Sequence, residues 1–183
     1  MAVSPPICNF GEKSHNFSLQ STQNKLVSLN NIKGENGFLI MFICNHCPYV
    51  QAIIKFLVDD VKYFESIGIK SAAIMSNDTK NYPEDSFENM KKFAKKNNFS
   101  FPYLFDEDQQ VAKKYSAVCT PDFFGYNKKS ELQYRGRILD AKKIEPAHTG
   151  ESELRKAMNL IAKTEKGPQD QIPSMGCSIK WFK

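Results

Sequence analysis

The sequence predicts an α/β chain: an N-terminal β-hairpin, then a central mixed sheet flanked by helices. Three observations carry this. Phe38 to Ile43 and Ile69 to Met75 are apolar runs without a polar face, as in strands covered on both sides. Between them, Val50, Ile53, Ile54, Leu57, Val61 and Phe64 form one helical stripe over residues 48–66. Two parallel strands joined by a helix require a right-handed crossover, with chemistry expected at the strands' carboxyl ends. Alternation in 15–20 and 25–29 around the turn at 21–24 supplies the hairpin.

The remaining elements follow in order. Gly68 stops the first helix. A second helix, over about 85–97, has Phe87, Met90 and Phe93 inward and is introduced by Tyr82-Pro83-Glu84. Residues 99–105 read as extended and 109–115 as a short helix. Residues 123–126 and 132–135 flank the turn at 127–131, an antiparallel hairpin. A last helix is expected over about 150–163, with Leu154, Met158 and Ile161 inward. Neither a repeat nor a linker divides the chain, so 1–183 reads as one domain with 167–183 as a C-terminal tail.

Composition narrows the function. With 41% hydrophobic and 25% charged residues, the chain can build an ordinary core. It contains no apolar run long enough to span a membrane, about eighteen residues. The first residues have neither a basic nor an apolar signal region, so a cytoplasmic location is expected. The net charge of +5 comes largely from dispersed lysine pairs such as Lys91-Lys92 and Lys113-Lys114. These read as solvated faces, and neither nucleic acid nor membrane is expected as a partner.

The chemistry-bearing stretch is Cys44-Asn45-His46-Cys47-Pro48, where the first buried strand hands over to the first helix. Unpaired N–H groups and the macrodipole at a helix start favour a thiolate. Pro48 suits the first turn. With the helix starting between His46 and Pro48, Cys44 is expected just ahead of it as the thiolate and attacker, titrating below about pH 7. Cys47, placed one turn inward, resolves, and the His46 imidazole lowers the thiol pKa further. A zinc site would need a second cysteine pair, and Cys8, Cys119 and Cys177 are each isolated. No metal or cofactor is therefore expected. The rivals are a thiol peroxidase, a copper-handling module built on Cys44, His46 and Cys47, and a non-catalytic docking domain. Cys8 and His148 receive no role.

Cys-x-x-Cys after the first strand of a βαβ unit, with Thr120-Pro121 before a hairpin and terminal helix, resembles the thioredoxin fold. More closely, Cys44 to Val50, Asn77-Asp78, Tyr82 to Ser86, Val118 to Phe124, Tyr134 to Arg137 and Pro173 to Trp181 resemble the peroxiredoxin-like (AhpC/TSA, TlpA-related) group. That resemblance implies a cis bond at Pro121 facing the cysteine pair, and a Thr120 backbone offered to an extended disulfide substrate. It implies a thiol-disulfide oxidoreductase with catalytic Cys44, His46 and Cys47 and a substrate mouth of Thr120, Pro121 and Tyr49. Cys119, Cys177, Asn77 and Arg137 are accessory candidates. The partners implied are a protein or small-molecule disulfide and a cellular thiol reductant or oxidant. His46 would make the pair more oxidising than thioredoxin. The chain departs from the group at four positions. Ile40 and Cys44 stand where a peroxiredoxin has proline and threonine, Val50 replaces a TlpA-type glutamate, and Ile43 replaces the tryptophan before the pair.

Overall fold

A computed structural model describes residues 2–140 and 151–183. Strands are β1 (Ala2–Val3), β2 (Ser18–Ser21), β3 (Leu26–Ser28), β4 (Gly37–Phe42), β5 (Ile69–Met75), β6 (Tyr103–Phe105), β7 (Cys119–Thr120), β8 (Asp122–Tyr126), β9 (Leu132–Tyr134) and β10 (Gly176–Ser178). Helices are α1 (Pro48–Ser66), α2 (Phe87–Lys96), α3 (Gln110–Lys114) and α4 (Glu153–Thr164). His148 and Gly150, the expected start of the last helix, lie outside the described residues.

Seven strands form a mixed sheet in the order β3-β2-β6-β5-β4-β8-β9. β4 pairs parallel with β5, and β5 parallel with β6. β8 runs antiparallel against β4, with Phe42 opposite Asp122. Every residue of β4 is buried, because it is central in the sheet and α1 and α4 cover one face while Phe17, Leu29, Val111 and Tyr115 cover the other. The apolar runs, the hairpin and the α1 crossover stand where the sequence puts them.

Two differences bear on the site. Helix α2 begins at Phe87, because Pro83–Asp85 forms a separate 3₁₀ turn that hands its backbone to Ser86. The C-terminal segment contributes a strand that periodicity does not reveal. β10 lies between β1 and β7 in a second, three-stranded sheet. It pairs antiparallel with β7, Cys177 opposite Thr120 and Ser178 opposite Cys119. The end of the chain is held further by Asp78 N–H donating to the Lys180 carbonyl, and by Lys180 N–H donating to Asn77 Oδ1.

Candidate active site

The cysteine pair sits where β4 ends and α1 begins. Cys47 is the N-cap residue of α1, with Pro48 in the first helical position. The sequence reading placed Cys47 one turn inside the helix and Cys44 at its mouth. The structure moves each thiol one step: Cys47 occupies the mouth, and Cys44 lies three residues ahead, on the turn. Both are buried, Cys44 at 1% and Cys47 at 0% exposure.

Both sulfurs face the loop entering β8, where the Thr120–Pro121 peptide bond is cis. Cys44 Sγ lies 3.3 Å from Thr120 Oγ1, and the Cys47 thiol donates to the Thr120 carbonyl oxygen at 3.1 Å. The neighbouring Cys44 thiol and the nearby backbone N–H groups of Cys177 and Val50 favour an anion on the Cys47 sulfur. These donors bring Cys47 down to about 4. Cys44 shifts the other way, because its proton is shared towards Cys47, burial disfavours its charge, and the Asp85 carboxylate repels it. The surroundings thus favour an anion at the cap position of Cys47 and oppose one at Cys44, where the sequence alone leads to Cys44 as the thiolate.

Asp85 was not singled out by the sequence, yet it organises the turn. Fully buried, it accepts from Asn45 N–H at 2.8 Å, His46 N–H at 3.3 Å, His46 Nδ1 at 2.6 Å and Asn77 Nδ2 at 2.7 Å. The His46 ring is thus turned to a carboxylate and lies parallel to Tyr82, 6.1 Å between centroids. Asn45 is pinned on its other side by the Tyr103 hydroxyl at 3.0 Å and by the Glu84 carbonyl at 3.1 Å. The only advance signal for Asp85 was its place in a Pro-Glu-Asp turn near Asn77-Asp78. Cys44, His46 and Asp85 bring three donor atoms within 4.8 Å of one another. Both Asp85 oxygens are already engaged by N–H donors, so the trio works as a clasp on the turn, and a cation there would have to break it.

The accessory candidates divide. Asn77 joins the Asp85 clasp to Lys180 of the C-terminal segment. Tyr49, Pro121 and Arg137 line one cavity of about 510 Å³ with Phe123, Ile138 and Met175, beside the cysteine pair through Pro48. Arg137 is clamped to Glu153 at 2.8 Å. Cys119 is buried beside the pair, but its thiol donates to the Pro121 carbonyl at 3.6 Å, and burial pushes it up. Cys8 is pushed up to about 11 by burial and lies away from the pair. Cys177 is half-buried and packs against the cluster that holds the pair. The backbone edge of Thr120 that the resemblance assigns to substrate carries β10.

The AhpC/TSA family model matches residues 10–140. The chain belongs to the AhpC/TSA family. A curated relative, the thiol-disulfide oxidoreductase ResA of Bacillus subtilis, is 26% identical over 151 residues, 82% of this chain and 75% of ResA. A solved structure of an uncharacterised conserved protein from Geobacillus kaustophilus superposes with a TM-score of 0.93 at 38% identity, covering 100% of this chain and 97% of that one. The thioredoxin domain of a thiol-disulfide oxidoreductase from Bacteroides vulgatus gives a TM-score of 0.59 at 16% identity over 69% of this chain and 86% of that one, a likeness of fold. The fold is thioredoxin-like, and at that general level the family is one of redox proteins.

Proposed function

We propose that the protein is a thiol-disulfide oxidoreductase that exchanges disulfides through Cys44 and Cys47. The observation that carries this reading is the convergence of both sulfurs on Thr120 beside the cis-proline, with one of them at the N-cap of α1. The thiolate is the nucleophile in exchange. Cys47 attacks a substrate disulfide, one substrate sulfur leaves as a thiol, and a mixed disulfide forms. That step removes the negative charge next to Cys44, and so removes a cause of its raised pKa. Cys44 then loses its proton and displaces the second substrate sulfur, leaving Cys44–Cys47 oxidised. The name of the ResA relative and the family model support the same class.

The test is reduction of insulin and of hydroxyethyl disulfide by the full chain with dithiothreitol as donor. Wild type should accelerate both, Cys47→Ser should fall to the uncatalysed rate, and Cys44→Ser should be slower than wild type. Wild-type rates in both variants would overturn the assignment. A thiol peroxidase is the second reading, favoured by the family and by the cap thiol. There Cys47 would take the peroxide oxygen as a sulfenic acid and Cys44 would condense with it, releasing water. Stopped-flow oxidation by hydrogen peroxide separates the two, since a rate no faster than a free thiol excludes peroxidase chemistry.

A further inference from the structure

We propose that Cys177 is a third redox-active cysteine, which carries oxidising equivalents from Cys47 to the surface as a Cys47–Cys177 disulfide. This rests on the exchange reading above and assigns a role to the C-terminal strand. The first ground is register. β10 lies antiparallel along β7 with Cys177 opposite Thr120, the residue both active sulfurs touch. Gly176 makes this approach feasible: a Cβ there would stand 2.0 Å from the Thr120 carbonyl oxygen and 3.0 Å from Pro121 N. The strand is therefore seated against the cis-proline loop by a position where only glycine fits.

The second ground is direct contact. Cys177 packs against the buried cluster that contains Cys44 and Cys47, and its thiol and backbone N–H act electrostatically on the Cys47 sulfur. Cys119, two residues before Pro121, is directed instead to a carbonyl, so proximity alone does not single out Cys177. The third ground is access. Cys44 and Cys47 are buried, whereas Cys177 is half-buried. A thiol reductant reaches Cys177 before it reaches either member of the pair.

The chemistry balances with the substrate disulfide as oxidant. Cys47 thiolate breaks the substrate S–S bond and forms the mixed disulfide, and one substrate thiol leaves. Cys177 gives up its proton and attacks the Cys47 sulfur, expelling the second substrate thiol and closing Cys47–Cys177. Two electrons have passed from two protein thiols to the substrate. An external thiol then attacks the accessible Cys177 sulfur, and Cys47 leaves as the stabilised thiolate, the better leaving group of the two. A second external thiol frees Cys177, and the external pair departs as a disulfide. Cys44 and Cys177 are thus alternative partners for one sulfur, Cys44 within the turn and Cys177 at the surface.

The experiment treats the reduced full chain with one equivalent of hydroxyethyl disulfide, quenches it in acid, and maps disulfides by mass spectrometry of an unreduced digest. In Cys44→Ser the Cys47–Cys177 disulfide should form, and in Cys44→Ser/Cys177→Ser the mixed disulfide should persist on Cys47. Gly176→Ala keeps every thiol but pushes the strand off Thr120. Combined with Cys44→Ser, it should take up the mercaptan on Cys47 and lose the internal disulfide. A Cys44→Ser chain that stops at the mixed disulfide, with Cys177 still alkylatable, overturns the proposal while leaving exchange through Cys47 intact. A double variant that takes up no mercaptan overturns the exchange reading itself.

Discussion

Cys47 and Cys44 are three residues apart, yet their surroundings act in opposite directions. The first caps α1 and collects N–H donors from Val50 and Cys177; the second shares a buried turn with the Asp85 carboxylate. A helix terminus and hydrogen bonds to the anion both favour ionisation, and burial next to a like charge opposes it. The 240 nm thiolate absorbance should therefore be present at pH 7 in wild type, absent in Cys47→Ser, and retained at pH 8 in Cys44→Ser with its midpoint moved upward by loss of the Cys44 donor. The sign for stability follows from the same shift. Because the folded thiol titrates near 4, its ionisation stabilises the fold above the pKa of the unfolded thiol, about 8.5. That contribution is lost as pH falls through the folded value. A band that survives Cys47→Ser and vanishes in Cys44→Ser would return the charge to Cys44.

At the scale of elements, the site depends on α1 being held at both ends of its packing. Its buried Asp60 accepts from Arg155 Nε at 2.7 Å and from the Ser152 hydroxyl at 2.5 Å, and Ser152 caps α4 by accepting from Arg155 N–H at 2.8 Å. One hydroxyl thus closes the start of α4 and satisfies a carboxylate of α1. Ser152→Ala should lower stability by about 2 kcal/mol, the upper end for a lost cap, read from urea unfolding. Ser152→Thr should recover most of it. This clasp was invisible in the sequence, since Asp60 reads there as one more polar residue on a helix. The elements themselves were legible where burial imposes periodicity: β4, β5 and the α1 stripe follow from Phe38, Ile53 or Phe64 alone. β10 was not, because three residues after Pro173, one buried and two half-buried, show no periodicity, and their pairing with β7 and β1 is set by long-range contact. The cysteine pair was legible as a motif. Its charge order turns on whether the helix begins at Pro48 or a residue or two earlier, and on Asp85, which lies about forty residues along the chain and which the motif does not contain.

For the molecule as a whole, the strand that follows the cis-proline is fixed to the end of β9 by a buried ion pair. Arg135 Nη2 lies 2.9 Å from Asp122 Oδ2, with exposures of 6% and 1%. The same guanidinium donates to the Ser116 carbonyl at 2.8 Å and stacks 4.4 Å over Phe124, while Arg135 N–H donates to Gln171 Oε1 at 2.8 Å. One residue thereby joins β8, the end of β9, the loop before β7 and the C-terminal segment that leads to Cys177. Burial pushes Asp122 up to about 6 despite this partner. Removing one member of such a pair leaves an uncompensated charge, at a cost of about 3–5 kcal/mol, whereas replacing both costs far less. Arg135→Met should show that loss in urea unfolding at pH 8. Because the folded state raises the Asp122 pKa, a proton taken up at low pH relieves the penalty. It should be smallest below the unfolded carboxyl value, about 3.9, and should grow as pH rises through the folded one. Arg135→Met/Asp122→Asn should regain part of the loss and flatten the dependence. Equal losses at pH 5 and pH 8 would mean that packing over Phe124, and not the buried carboxylate, sets the cost.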